Sequence, residues 1–497
     1  MRKTEYMTLD NQEKKPPYLV IAILFFGAFV SFLNNSLLNV ALPTIMTDFE
    51  KDYATVQWLA TGYMLVSGVL IPVSAFLITR FKNRHLFITS MALFTIGTAL
   101  AAFAPNFGLL LAGRMVQAAG SSVMGPLLMN IMLVSFPREK RGAAMGIFGL
   151  VMITAPAIGP TLSGYIVEYW DWRLLFEMIL PFAVISLVLA IWKLENIMET
   201  RNSSLDYFSV VLSIIGFGGL LYGCSTASSD GWDSAQTLVP LIVGAIGIIW
   251  FGIRQFRLEQ PLLDLRVYKY PMFALGSIIS MVNAAAMFSG MILTPAYVQS
   301  VRHISPLDSG LMMLPGAVVM GLMSPITGKL FDKFGPRVLA FIGLAITAYS
   351  TYLLAGVDLE TTKMTIIVIY TLRMFGMSMV MMPIMTNGLN QLPTRLNPHG
   401  TAVNNTVQQV VGSIGTALFV TLMNSVATSK GEELAKAADP ANLQDQTFML
   451  GLQQQALLEG IQVSFLVATG VTGLALILTL FLKRVDVSKV ISENMEK

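Results

Sequence analysis

Gly328-Lys-Leu-Phe-Asp332-Lys333-Phe-Gly335-Pro-Arg337 ends one long apolar run and begins the next. At an offset of 253 residues, Ala75-Phe-Leu-Ile-Thr79-Arg80-Phe-Lys82-Asn-Arg84 does the same. Two further pairs repeat in the same order. Arg114-Met115 answers to Arg373-Met374 at 259 residues, and Arg141-Gly-Ala-Ala144 answers to His399-Gly-Thr-Ala402 at 258. Three matches at a near-constant offset make the chain an internal repeat, with equivalent connections on the same side of a membrane. Parallel repeats of this kind form the two halves of rocker-type transporters, with substrate bound between them near the bilayer midplane.

The composition demands a membrane. Charged residues make up 12% and hydrophobic residues 54% of 497 residues, whereas a soluble domain carries roughly 25% charged. A span needs about 20 apolar residues, and fourteen such runs lie between 18–41 and 460–482, the thirteenth at 400–428. The first run, Tyr18 to Val40, is too long for a signal peptide and reads as a retained helix. The repeat pairs spans 1–6 with 9–14, so spans 7 and 8 are an insertion, expected to pack peripherally. The domain reading is residues 1–200 for the first six-helix bundle, 201–266 for the inserted pair and linkers, and 267–497 for the second bundle. The fold class is therefore all-α membrane protein.

Basic residues set the orientation. With the N-terminus cytoplasmic, 24 lysines and arginines fall in inner segments and 6 in outer ones, leaving Arg114 and Arg373 inside spans. Cytoplasmic excess of basic residues places both termini in the cytoplasm. The net charge of +3 carries no implication of nucleic-acid binding. One cysteine, Cys224, excludes an intramolecular disulfide, and three histidines without HxxxH or HExxH spacing argue against metal catalysis. No P-loop appears, and no nucleophile, base and orienter occur together in the spans, so neither ATP drive nor an enzyme is expected. No cofactor is expected.

These residues resemble the major facilitator superfamily, and within it the fourteen-span drug:proton antiporters, closest to the Gram-positive lincomycin-type multidrug exporters. Gly328, Asp332, Gly335 and Arg337 fit the superfamily's loop signature, which implies a latch at the cytoplasmic side. The first-half copy keeps Arg80 and Arg84 but has Ala75, Thr79 and Lys82 at the signature's glycine, aspartate and glycine. Ala155-Pro156-Ala-Ile-Gly159-Pro160-Thr-Leu-Ser-Gly164 looks like the antiporter signature of the fifth span. Prolines bend a helix and glycines admit a close neighbour, and the resemblance implies export. Trp172-Arg173-Leu-Leu-Phe176 and Pro181 match the family's sixth-helix opening. Arg114, Gln117 and Gly120 resemble the fourth-span signature, which implies proton coupling at Arg114. The alternative is a cation snorkelling to the outer interface.

The first span departs from the family pattern, with Asn34 where the membrane aspartate usually stands; an amide cannot carry a proton near neutral pH. Glu177, about five residues into the sixth span, is the acid that could take over, because burial raises a carboxyl pKa toward the working range; it could also reach the interface. Asp206 and Asp308 open spans 7 and 10 and read as helix caps. For the substrate cavity, Asn34, Asn35 and Asn39 of span 1 join Gln117, Arg373, Met377 and Met381. Asn405, Gln408 and Gln409 lie on one face of span 13. Methionine suits varied apolar ligands, though it also serves as lipid-facing filler, and dense amides either hydrogen-bond between helices or line a wet cavity. The connection 428–459 reads as a solvated outer loop with some helix. The function these features imply is export of amphipathic small molecules in exchange for protons by a monomer in a bacterial cell membrane. Export of an anionic lipid-like or metabolite substrate, met by Arg114 and Arg373, is the alternative, and a non-transporting receptor on this fold the third.

Overall fold

The computed structural model describes residues 16–201, 205–438 and 445–484. Six of the basic residues counted for topology (Arg2, Lys3, Lys14, Lys15, Lys489, Lys497) lie outside them, as does the side chain of Asn39. Among the described residues fourteen helices are long and apolar enough to cross a membrane. The first bundle holds α1 (Tyr18–Asp48), α2 (Tyr53–Arg80), α3 (Asn83–Ala102), α4 (Phe107–Ser135), α5 (Arg141–Tyr169) and α6 (Leu174–Lys193). The inserted pair is α7 (Tyr207–Asp230) and α8 (Ala235–Arg257). The second bundle holds α9 (Pro271–Pro295), α10 (Pro306–Phe334) and α11 (Pro336–Ala355). It continues with α12 (Lys363–Ser378 and Met381–Gln391, broken between), α13 (Asn397–Ala437) and α14 (Gln446–Thr479).

The helix starts follow from local chemistry. Asp52, Asn106, Ser234, Ser305 and Thr362 each accept the N–H three residues on, satisfying donors the first turn cannot. Proline opens α9, α10 and α11, where its missing N–H costs nothing. Gly335 turns α10 into α11 at φ +81°, which favours glycine. The last two helices run well past the expected ends. α13 reaches Ala437 and α14 starts at Gln446, so much of the expected loop is a helical hairpin, tied by Lys430 to Glu433 and Glu459.

Helix neighbours reproduce the repeat. In the first bundle α1 packs on α5 and α6, α2 on α4, and α3 on α4 and α6. In the second, α9 packs on α13 and α14, α10 on α12, and α11 on α12 and α14. The bundles meet along two seams that the same twofold exchanges, α5 against α10 and α2 against α13. The inserted pair splits in its placement. α8 touches α7 and its own linker, on the outside. α7 wedges against both α2 and α13 and so spans the second seam, because an apolar helix with buried Leu212, Phe217 and Leu221 needs two walls.

Candidate functional site

The α5–α10 seam is built from glycine. A side chain at Gly146 would stand 2.5 Å from the Ser324 carbonyl and 2.8 Å from Pro325 Cα, and Gly328 meets the backbone of Gly142 directly. Helices this close exclude any larger residue at the contact. At one end of the seam Asp332 on α10 crosses to the other bundle. Its carboxylate accepts the N–H groups of Gly142 and Ala143, each at 2.9 Å. Those are unsatisfied donors of the first turn of α5, and the helix dipole favours an anion there. Arg484 holds the Asp332 carbonyl at 2.7 Å. Arg337, expected to share in this latch, is exposed and makes no side-chain hydrogen bond or ion pair among the described residues.

Two cations that the sequence reading used only for topology and, in the case of Arg141, as a repeat marker complete this end. Arg141 donates to Asn390 Oδ1 at 3.1 Å and Arg138 to the Leu392 carbonyl at 3.4 Å, at the C-terminal end of α12. Their signal was the Arg-x-x-Arg run before Gly142. Further along the seam, the proline-glycine stretch packs α5 on two helices. Gly159 faces Ser36 of α1, Ser163 donates to the Leu37 carbonyl at 2.5 Å, and Gly164 and Pro160 meet Leu307 and Gly310 of α10. Pro156 is half-buried in the same stretch.

Arg114 and Arg373 are both fully buried, each inside its own bundle. Arg114 donates to Gln117 Oε1 at 2.9 Å and to the Leu59 carbonyl at 3.5 Å, and stacks 4.4 Å from the centre of the Tyr63 ring. Gln117 in turn donates to Thr98 at 2.8 Å. Arg373 donates to Thr351 at 3.1 Å and to the Ala286 carbonyl, while Nη1 has no partner among the described residues. Thr98 and Thr351 are themselves 253 residues apart, so the two arginines are anchored alike. Neither has a carboxylate partner among the described residues. Arg114 is thus not a snorkelling cation.

Glu177 is not beside Arg114. Helix α6 turns Leu175, Phe176, Ile179, Ala183 and Ser186 inward, and Glu177 falls on the opposite face by helical phase. It is exposed and lines a surface groove with Phe103, Leu180, Pro181, Val184 and Ile185. Glu177 thus stands at the surface, on the side of α6 opposite the one the helix buries, while Arg114 lies inside the bundle. Asp206 stands at the N-cap position of α7, and its carboxylate is engaged chiefly elsewhere: it pairs with Arg254 at 2.7 Å and accepts from Ser209 Oγ at 2.6 Å. Asp308 stands in the first turn of α10, loosely paired with Lys363 at 3.9 Å.

The cavity candidates divide. Met377 is buried with Met320, Met374 and Tyr370, and Met381, Met287, Met313 and Ile153 pack against them, so this soft cluster touches both bundles. Asn405, Gln408 and Gln409 are half-buried with no side-chain hydrogen bond among the described residues. Asn34 is buried with its amide nitrogen unpartnered, and its neighbour Asn35 is exposed. The sequence reading missed Asn404, whose buried Nδ2 is also unpartnered.

The Major Facilitator Superfamily pattern matches residues 24–416. An uncharacterized MFS-type transporter of Bacillus subtilis is 48% identical over 87% of this chain and 82% of its own length. The lincomycin resistance protein LmrB of the same organism is 43% identical over 96% of this chain and 98% of its own. In fold, the crystal structure of the human organic anion transporter MFSD10 matches with a TM-score of 0.62 at 13% identity, covering 93% of this chain and 100% of that one. Two pseudo-equivalent bundles, a glycine seam between them and relatives named as transporters converge: this multi-pass membrane protein belongs to the Major Facilitator Superfamily.

Proposed function

We propose that the chain exports amphipathic drugs in exchange for protons by alternating access, with both termini cytoplasmic. The observation that carries this reading is the Asp332 contact. A carboxylate of one bundle satisfies the helix terminus of the other, and such a contact closes one end and must break for that end to open. Resistance proteins among the relatives support drugs as the cargo. The methionine cluster and the free amides of α13 supply a soft, mostly uncharged lining.

Proton drive enters through the same carboxylate. Among the described residues Asp332 is the acid whose side chain bonds across the bundles. Both its partners are donors. A proton on the carboxyl therefore meets a site that offers nothing to accept it, and one of the two bonds is lost. Arg114 remains a positioning residue in this scheme, holding α2, α3 and α4 together. The alternative, an anionic substrate, draws on the unpartnered Nη1 of buried Arg373.

Proteoliposomes with an imposed pH gradient test the proposal, with cationic, neutral and anionic compounds run in parallel. Uptake into inside-out vesicles that collapses with the gradient supports proton exchange. Uptake indifferent to the gradient removes it. Selective uptake of the anions favours the second reading.

A further inference from the structure

The twofold that relates the bundles maps Asp332 onto Thr79, and Gly142 and Ala143 onto Gly400 and Thr401. A symmetric second latch would run from Thr79 to the start of α13. It is missing. Thr79 bonds back to the Ala75 carbonyl at 2.7 Å, and Gly400 packs on Leu392, Leu389 and Phe273 of its own bundle.

Both ends of the missing latch are occupied by the connections of the inserted pair. The incoming connection sits on the α2–α3 turn. Arg201 N donates to the Thr79 carbonyl at 2.9 Å. Asn83 donates to the Glu195 carbonyl at 2.8 Å and accepts from Ile197 N and Met198 N. The outgoing connection sits on the first turn of α13, where Asp264 N donates to His399 Nδ1 at 3.1 Å. Between them the feet of α7 and α8 are clamped. Asp206 takes Arg254 Nε at 2.7 Å and Nη2 at 3.0 Å. Ser209 takes Gln255 at 2.7 Å, and Gln255 takes Leu263 N at 3.2 Å. Arg254 and Ser209 hold the Asp206 carboxyl down at about 2, so it is charged at neutral pH.

We infer that the clamp at the feet of α7 and α8, Asp206–Arg254 with Ser209–Gln255, is the second cross-bundle closure, standing where the first bundle has lost its latch aspartate. Hydrogen bonds tie residues 195–201 of the incoming connection to the α2–α3 turn, and others run from the clamp through the outgoing connection to α13; the chain itself joins Arg201 to the clamp at Asp206. One side of this path belongs to the first bundle and the other to the second. When the bundles part at the Asp332 end, α2 and α13 separate and the clamp must open. This inference rests on the alternating-access reading above.

The test uses a reporter on the opposite seam. Ser324 is buried against Gly146 and Gly149 of α5, on the seam opposite the one that α7 spans. In the full-length protein with Cys224→Ser and Ser324→Cys, maleimide labelling of position 324 measures how often the bundles part. Asp206→Asn is expected to raise that rate about threefold to tenfold, as a partly exposed bidentate pair allows. Arg254→Lys should have a smaller effect in the same direction. Asp332→Asn is the control. If it raises labelling and Asp206→Asn does not, the clamp is a local brace of the hairpin and the inference falls alone. If neither moves the rate, the alternating-access reading falls and takes the inference with it. A second arm is a disulfide between Ser209→Cys and Gln255→Cys. It should stop transport on oxidation and restore it on reduction, and unchanged transport by the oxidised protein overturns the inference.

Discussion

Asp332→Asn keeps the size of the side chain and removes the charge. In the wild type two N–H groups at 2.9 Å reach the two carboxylate oxygens. Each charge-assisted bond is worth about 1.5–3 kcal/mol, and the helix terminus adds about 0.3–1 kcal/mol. The amide keeps one acceptor oxygen and turns its NH₂ toward a donor, so one neutral bond of about 1 kcal/mol survives. At the low end of each term, as suits a half-buried carboxylate, the net loss is roughly 2 kcal/mol, or about thirtyfold in the ratio of open to closed at the Asp332 end. Labelling of Ser324→Cys in the Cys224→Ser background reads this ratio, because the buried Ser324 hydroxyl has no partner to lose among the described residues. While the closed form dominates, the rate is proportional to the open fraction. A thirtyfold rise in a protein that still inserts and folds is expected, together with impaired transport. An unchanged rate in a folded protein would refute the latch.

Gly146→Ala should open the same seam by force, since its Cβ would stand 2.5 Å from the Ser324 carbonyl; transport should fall more than about tenfold and labelling rise. Gly290→Ala drives the Arg373 guanidinium off Thr351 and Ala286, because the new Cβ would lie 2.5 Å from Cζ. A loss on the order of 3 kcal/mol should appear in thermal unfolding. The Asp206 carboxyl is depressed to about 2, so its pair with Arg254 contributes stability above pH 4 that disappears as pH falls toward 2. Asp206→Asn should therefore lower the unfolding free energy at pH 7 by about 1 kcal/mol after solvent screening, an effect that fades as pH falls through about 2. Glu177→Gln should leave the dependence of transport on the pH gradient intact, as its side chain faces outward. Lost coupling in that variant would return the proton to α6.

The fold was readable because hydropathy counts spans and a parallel repeat pairs them. Its motif marked Asp332 as a residue of the α10–α11 end, where it bonds across the bundles, and theirs marked Gly159 and Gly164 as close contacts. Spacing along a helix did not say which way α6 faces. Glu177 and Phe176 are adjacent, yet one is exposed and the other buried, because a run that is apolar all round hides its phase. The role of α7 was hidden for a related reason. Falling outside the repeat suggested a place outside the bundles, but the twofold itself leaves a seam between α2 and α13 that a spare apolar helix can fill. Arg138 and Arg141 looked like topology signals. Their bonds to α12 depend on a meeting of helices some 250 residues apart.

The pseudo-equivalent positions show how the two bundles keep one geometry with different residues. Gln117 relays Arg114 to Thr98; its counterpart is Gly376, and there Arg373 reaches Thr351 directly. Tyr63 of α2 lies beneath Arg114, but its counterpart on α10 is Gly316. The vacated space is filled by the ring of Tyr370, one turn before Arg373 on α12. In each case a different residue fills the role, and in the second it comes from another helix. Packing explains why: an interior near crystal density cannot leave a ring-sized void, so a loss on one helix selects a gain on a neighbour. The exchange of Asp332 for Thr79 is the same kind of loss on a larger scale. Closure at that end needs a restraint on both seams, because a single latch on one flank lets the bundles hinge open about it. The charged clamp between α7 and α8 supplies the restraint on the flank where the motif has decayed, and it does so with an acid and an arginine that neither bundle contains.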